Sequence, residues 1–187
     1  FLGEYLSDKY NIPFVITEHN SGFIYKNQGF QKYYSSVIRI ANKANRCFSV
    51  SSYYSRHLQN ELSSNIAWGV HNNIVSDFFL KTKIRIPNTE NFIFLTITRL
   101  HKIKNVSLII ESFELFTKQY PNSQLKIIGL GNQFRKLKTL AKNLGIEKKI
   151  KFLGRVNRDR IPEEINASHV YLHSSLYETF GVVFVEA

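Results

Sequence analysis

Methionine is absent from the 187 residues, cysteine and tryptophan occur once each, and proline occurs four times. A single cysteine excludes a disulfide framework and a cysteine-rich zinc site. It stands in Arg46-Cys47-Phe48-Ser49-Val50, where a buried strand thiol is expected in preference to a nucleophile. Long hydrophobic runs are missing as well. No apolar stretch approaches the ~18 residues that would span a bilayer, and no signal peptide is visible. With no methionine and with Phe1 at its head, the chain is expected to be a piece of a longer protein, cut also at Val185-Glu186-Ala187. A reducing cytoplasmic setting fits, the inner face of a membrane included.

Acidic residues are the scarcer charge, 14 against 25 Lys and Arg, which leaves a net +11. The excess is local. Residues 99–160 hold 15 Lys and Arg against Glu111, Glu114, Glu147 and Asp159, whereas residues 161–187 hold four acids and no base. A phosphate-bearing ligand, an anionic membrane surface or a nucleic acid would each draw on such a segment. For most individual lysines a solvated basic face is the plain alternative. Apolar residues make up 43% of the chain, enough for a packed core, and charged residues 21%, too few for disorder.

Short apolar strands alternate with helical stretches along the whole length. Strands are expected at 13–17, 47–50 and 66–70, with helices over 31–45 (Tyr34, Val37, Ile38 and Ala41 inward) and near 52–62. After a polar stretch near 76–90 that contains Pro87, the alternation restarts. Strands follow at 92–98, 125–128, 150–153 and 170–173, and helices at 106–119, 132–144 and 161–166. Ile109, Phe113 and Phe116 share one face of the first of these, and Gly145 ends the second as a C′ residue. Alternation of this kind means βαβ units, and uninterrupted apolar strands mean sheets covered on both faces. Two such series imply an α/β protein with parts of two doubly wound, Rossmann-like domains.

In open parallel sheets a ligand binds beyond the carboxyl ends of the strands, so the loops there carry the chemistry. After the strand at 92–98 come Arg99, Lys102 and Lys104, next to the N-terminus of a helix, a setting that attracts a diphosphate. A solvated basic turn is the alternative. Gly129-Leu130-Gly131 follows the next strand, where two glycines let the backbone turn and approach a ligand or a neighbouring strand. That pair is half of a dinucleotide fingerprint, and a plain strand-to-helix turn explains it equally well. Farther on, Glu178 lies in a loop, Gly181 follows, and Glu186 comes about two helical turns later. A carboxylate there suits hydroxyl recognition, with backbone N–H groups of residues 180–183 beside it; two solvated acids are the alternative. His19, in Thr17-Glu18-His19-Asn20, follows another strand end and is a candidate ligand contact or proton-handling group. The remaining histidines have no metal-binding spacing.

Together these loops resemble the retaining GT-B glycosyltransferases of family 4, which use nucleotide sugars. The Glu–seven residues–Glu motif is matched by Glu178 and Glu186, the Arg and Lys five positions apart by Arg99 and Lys104, and the glycine pair by Gly129 and Gly131. Phe152-Leu153-Gly154 matches the family's strand end, and Asn72-Asn73-Ile74-Val75-Ser76-Asp77-Phe78-Phe79 echoes its interdomain segment. Departures are Asn73 and Asn105 in place of glycine, tolerable because Asn adopts left-handed geometry readily, and Val75 in place of Asp.

The resemblance implies a GT-B-like fold with two truncated Rossmann-like domains: residues 1–76 from the acceptor-side domain and residues 77–187 from the nucleotide-sugar-binding domain. By the same token Arg99 and Lys104 would hold the donor diphosphate without a metal or other cofactor, and Glu178 would contact the donor sugar. Backbone N–H groups near Phe180 and Gly181 would orient that sugar, and Glu186 would bind ribose hydroxyls. Gly154-Arg155-Val156 would lie against the base, and His19 would face an interdomain cleft. The acceptor would be a glycan or a lipid-linked molecule, with peripheral membrane contact and no nucleic acid. This 187-residue piece, holding half a cleft, would itself be inactive. A nucleotide-sugar 2-epimerase of the same architecture lacks added acid–base pairs here. A basic nucleic-acid-binding domain would need stacking aromatics, whereas Phe134 and Phe152 suit a core.

Overall fold

A computed structural model describes residues 2–24, 32–62, 65–80, 87 and 90–187. The start of the helix expected over 31–45, and much of the polar stretch near 76–90, lie outside these residues. The chain divides into two compact units, Phe1–Ile74 with Tyr177–Val182, and Val75–Leu176 with Val183–Ala187.

The first unit carries three parallel strands in the order β1-β2-β3: β1 (Val15–Glu18), β2 (Arg46–Ser49) and β3 (Trp68–Val70). Val15 pairs with Arg46 and Cys47 with Trp68. Helix α2 (Tyr34–Lys43) connects β1 to β2, and α3 (Ser52–Leu62) connects β2 to β3. Tyr34, Val37, Ile38 and Ala41 of α2 and Tyr54, Leu58 and Leu62 of α3 meet over a core that contains Cys47, Val50 and Trp68. Cys47 is buried, its Sγ 3.5 Å from the Ala41 carbonyl, and burial pushes its thiol up, away from the reactive thiolate. Helix α1 (Leu2–Tyr10) leaves Leu2, Tyr5 and Tyr10 exposed, while its buried Glu4 pairs with Arg39 and, at 3.2 Å, with Lys43 of α2.

The second unit carries four parallel strands in the order β6-β5-β4-β7: β4 (Phe92–Ile97), β5 (Ser123–Ile128), β6 (Ile150–Gly154) and β7 (Val170–Tyr171). A short helix, α4 (Asp77–Leu80), precedes them. Both faces of β4 are covered, which is why its sequence is a continuous apolar run. Phe94 packs with α5 (Val106–Gln119) and α6 (Phe134–Asn143), while the adjacent Leu95 packs on the other face with Ile161 of α7 (Ile161–Asn166). The end of α6 is a Schellman turn: Gly145 (φ 70°) donates to Lys142 and Ile146 donates to Ala141.

Phe113 of α5 is 2% exposed and lies edge-on to Phe94 at 5.9 Å between ring centroids. Phe113→Ala is expected to cost ~3–5 kcal/mol in a urea melt, since the cavity would open in the centre of the larger core. A loss below ~1 kcal/mol would contradict that packing.

Candidate functional site

The site in the second unit is built by the paths that β4 and β5 take after their last regular residues. Pairing continues past the ends of both strands. Thr98 donates to Ile128 and Leu100 to Leu130, each at 2.9 Å, and Gly129 donates to Gly154 at 2.7 Å. Two loops can run this close only if one has no side chains in the way. A Cβ on Gly129 would stand 1.8 Å from the Thr98 carbonyl oxygen, and one on Gly131 would stand 2.3 Å from that of Leu100. Of the two uses that the sequence allows this pair, approach to a neighbouring strand accounts for these contacts.

This close packing leaves an open cleft of about 750 Å³ beyond the carboxyl ends of the sheet. Arg99, Gly129, Gly131, Arg155 and Val156 line it together, with His101 and Val183 beside them. Arg99 is exposed, and among the described residues no carboxylate pairs with it. Val183 ends the 180–183 stretch whose N–H groups the sequence points to; His101 is not singled out by sequence, because no spacing distinguishes it within the cationic loop.

Lys104 is not among the cleft-lining residues. It closes a 3₁₀ turn (Lys102–Lys104) just before Asn105, whose φ of 48° is left-handed as expected for a residue in a glycine position. Asn73 is not strained in this way, because among the described residues the positive-φ non-glycines are Asn11 and Asn105. Ser174, three residues past β7, donates to the carbonyls of Lys104 and Asn105 at 2.9 Å and fixes the start of α5. Glu186 is likewise outside the cleft lining. It lies on the five-residue helix α8 (Val182–Glu186), its side chain only 11% exposed and 3.5 Å from Arg158.

In the first unit, His19 is exposed in the loop after β1, and Tyr177–Val182 folds against the same unit. The Thr179 hydroxyl donates to the His19 carbonyl at 3.4 Å, Phe180 packs on the core, and Gly181 has φ 78°. Glu178 and His19 are thus carried by loops that touch each other. Burial pushes the Glu18 carboxyl up, and the N–H of Asn20 opposes that by donating to it at 2.5 Å. Among the described residues no group of three or more His, Cys, Asp or Glu could hold a metal ion, and no helix is long and apolar enough to cross a membrane.

Two parallel α/β units, one with a cationic cleft at the carboxyl ends of its strands, define a Rossmann-like architecture of GT-B type. Anabaena HepE, in a crystal structure with UDP and glucose, superposes with a TM-score of 0.84 at 21% identity, over 100% of this chain and 53% of that one. Residues 78–187 match the model for glycosyl transferases group 1, and the chain belongs to that family. Alpha-monoglucosyldiacylglycerol synthase of Acholeplasma laidlawii is 35% identical over 108 residues, 58% of this chain and 27% of that protein. The phosphatidylinositol N-acetylglucosaminyltransferase gpi3 subunit of Schizosaccharomyces pombe is 32% identical over 104 residues, 54% of this chain and 23% of that protein. The matched part of the chain therefore spans about a quarter of the length of these curated relatives.

Proposed function

We propose that this chain belongs to a retaining glycosyltransferase that moves a hexosyl group from a nucleoside diphosphate sugar to a glycan or lipid-linked acceptor. The observation that carries the reading is Arg99, without an ion pair among the described residues, lining one cleft with Arg155, Gly129 and Gly131. Cleavage of the anomeric C–O bond sends its electron pair to the diphosphate and leaves positive charge on the sugar. Fixed cations at the leaving oxygen lower that barrier because they are already oriented when the charge develops. Arg99 takes this role, with Lys104 from the same loop as its partner. The acceptor oxygen forms the new bond on the face the diphosphate leaves, and its proton passes to the departing phosphate oxygen. Glu178 contacts the donor sugar, the backbone near Phe180 and Gly181 orients it, and Glu186 accepts from ribose hydroxyls. Arg155 and Val156 flank the base, and His19 acts from the acceptor side.

A lipid-linked acceptor is in keeping with the relatives, whose names contain a diacylglycerol and a phosphatidylinositol. Peripheral membrane contact follows from such an acceptor, and no nucleic acid is needed to account for the basic segment. The test is a panel of UDP- and GDP-sugars supplied to the full-length protein that contains these residues with candidate acceptors, scored by nucleotide release and by the anomeric configuration of the product. Release that depends on acceptor, with retention, is expected; release without transfer, or an inverted product, would contradict the proposal.

The phosphate clamp in this reading is cationic side chains, so turnover is expected to survive excess EDTA. Loss of activity restored by manganese or magnesium would contradict that assignment.

A further inference from the structure

Ser51 precedes α3 and serves as its N-cap. Its Oγ accepts the N–H of Tyr54 at 3.1 Å, and its carbonyl accepts the N–H of Ser55 at 2.9 Å. Capping uses only the oxygen of the hydroxyl. The proton goes elsewhere: Ser51 Oγ donates to the Thr179 carbonyl at 2.6 Å, 128 residues along the chain. Thr179 follows Glu178, and its own hydroxyl reaches the carbonyl of His19. The His19 loop is held from its other side. Gly22 donates to Asn20 Oδ1 at 2.8 Å, and the Tyr54 hydroxyl donates to the carbonyl of Asn20. Ser51 and Tyr54, three residues apart, therefore fasten both loops to one rigid helix.

We propose that Ser51 is a positioning residue, whose hydroxyl proton holds the loop bearing Glu178 against the loop bearing His19. The catalytic consequence rests on the transferase reading; the anchoring does not. A loop ordered before substrate arrives loses less entropy on binding, and small misplacements of reacting groups are costly in rate. A cap and an anchor have different chemical needs, so they can be separated. Aspartate is an excellent N-cap acceptor, yet its carboxylate has no proton to give to Thr179 and repels that carbonyl. Threonine keeps both functions.

The experiment compares Ser51→Asp, Ser51→Thr and wild type in the full-length protein that contains these 187 residues, by thermal unfolding, by chymotrypsin cleavage after Tyr177 and Phe180, and by sugar transfer. Ser51→Asp is expected to unfold close to wild type, to be cut faster at those two sites, and to lose at least about tenfold in kcat. Ser51→Thr is expected to restore both the protection and the rate. Unchanged cleavage in a folded Ser51→Asp overturns the anchor. Faster cleavage with unchanged kcat overturns its role in catalysis. If wild type transfers no sugar while the cleavage difference persists, the transferase reading fails and the anchor stands.

Discussion

Arg99→Ala is expected to lower sugar transfer by about 10²–10³-fold, the range found when one preorganised donor to a developing negative charge is removed. The fold should not suffer. Arg99 is exposed, lies in a loop and forms no ion pair among the described residues, so the thermal midpoint is expected to stay at the wild-type value. Lysine at the same position keeps the charge without the planar fork, and an intermediate rate is expected. Lys104→Ala should behave differently. The Lys104 side chain is half-buried beside the start of α5, so some loss of stability is expected along with the loss of rate. Initial rates at saturating donor, with melts of each variant, separate the two effects. Unchanged turnover in a folded Arg99→Ala would remove this residue from the mechanism.

Gly131→Ala is expected to cost ~3–5 kcal/mol of stability, more than most single substitutions, before any ligand is considered. Its Cβ would meet the carbonyl oxygen of Leu100 at 2.3 Å and the carbonyl carbon at 2.5 Å, and neither is the movable end of a side chain. To relieve the contact, the Leu100 strand end would have to withdraw. That would break the Leu100–Leu130 and Gln133–Leu100 bonds and displace Arg99. Gly129→Ala should be worse, with a contact of 1.8 Å at a φ of +136°. A urea titration checks both. Near-wild-type stability with lost nucleotide binding would mean that the glycines serve ligand approach, not strand approach.

Much of the fold was legible because β4 and β5, the central strands of the larger sheet, are covered on both faces. The strands expected at 92–98 and 125–128 are found as Phe92–Ile97 and Ser123–Ile128, the polar Ser123 and Gln124 having given no signal, and Phe113 and Phe116 marked the inner face of α5. Helix α1 was not legible, since Leu2 and Tyr5 are exposed and the helix is tied down through Glu4, a residue that hydrophobic periodicity cannot flag. Among the candidate site residues, Arg99, Gly129 and Gly131 drew attention as strand-end loops and Arg155 and Val156 through the family resemblance; all five line one cleft because each follows a strand end in the same sheet. Asn105 could be interpreted from chirality, whereas the same argument applied to Asn73 has no counterpart in the backbone. Ser51 and Thr179 carry no local signal. Their bond joins residues 128 positions apart, and only the folded chain reveals it.

The most direct test of the account is calorimetric titration of the full-length protein that contains these residues with UDP and GDP, wild type beside Arg99→Ala, with Lys118→Ala as the control for a basic residue outside the cleft. Lys118 pairs with Glu114 on α5, away from the cleft lining. If the cleft at the ends of β4, β5 and β6 holds a nucleoside diphosphate, wild type and Lys118→Ala bind one of the two saturably, and Arg99→Ala binds it at least about tenfold more weakly. Equal affinity in all three proteins, or no binding of either nucleotide by wild type, would contradict it.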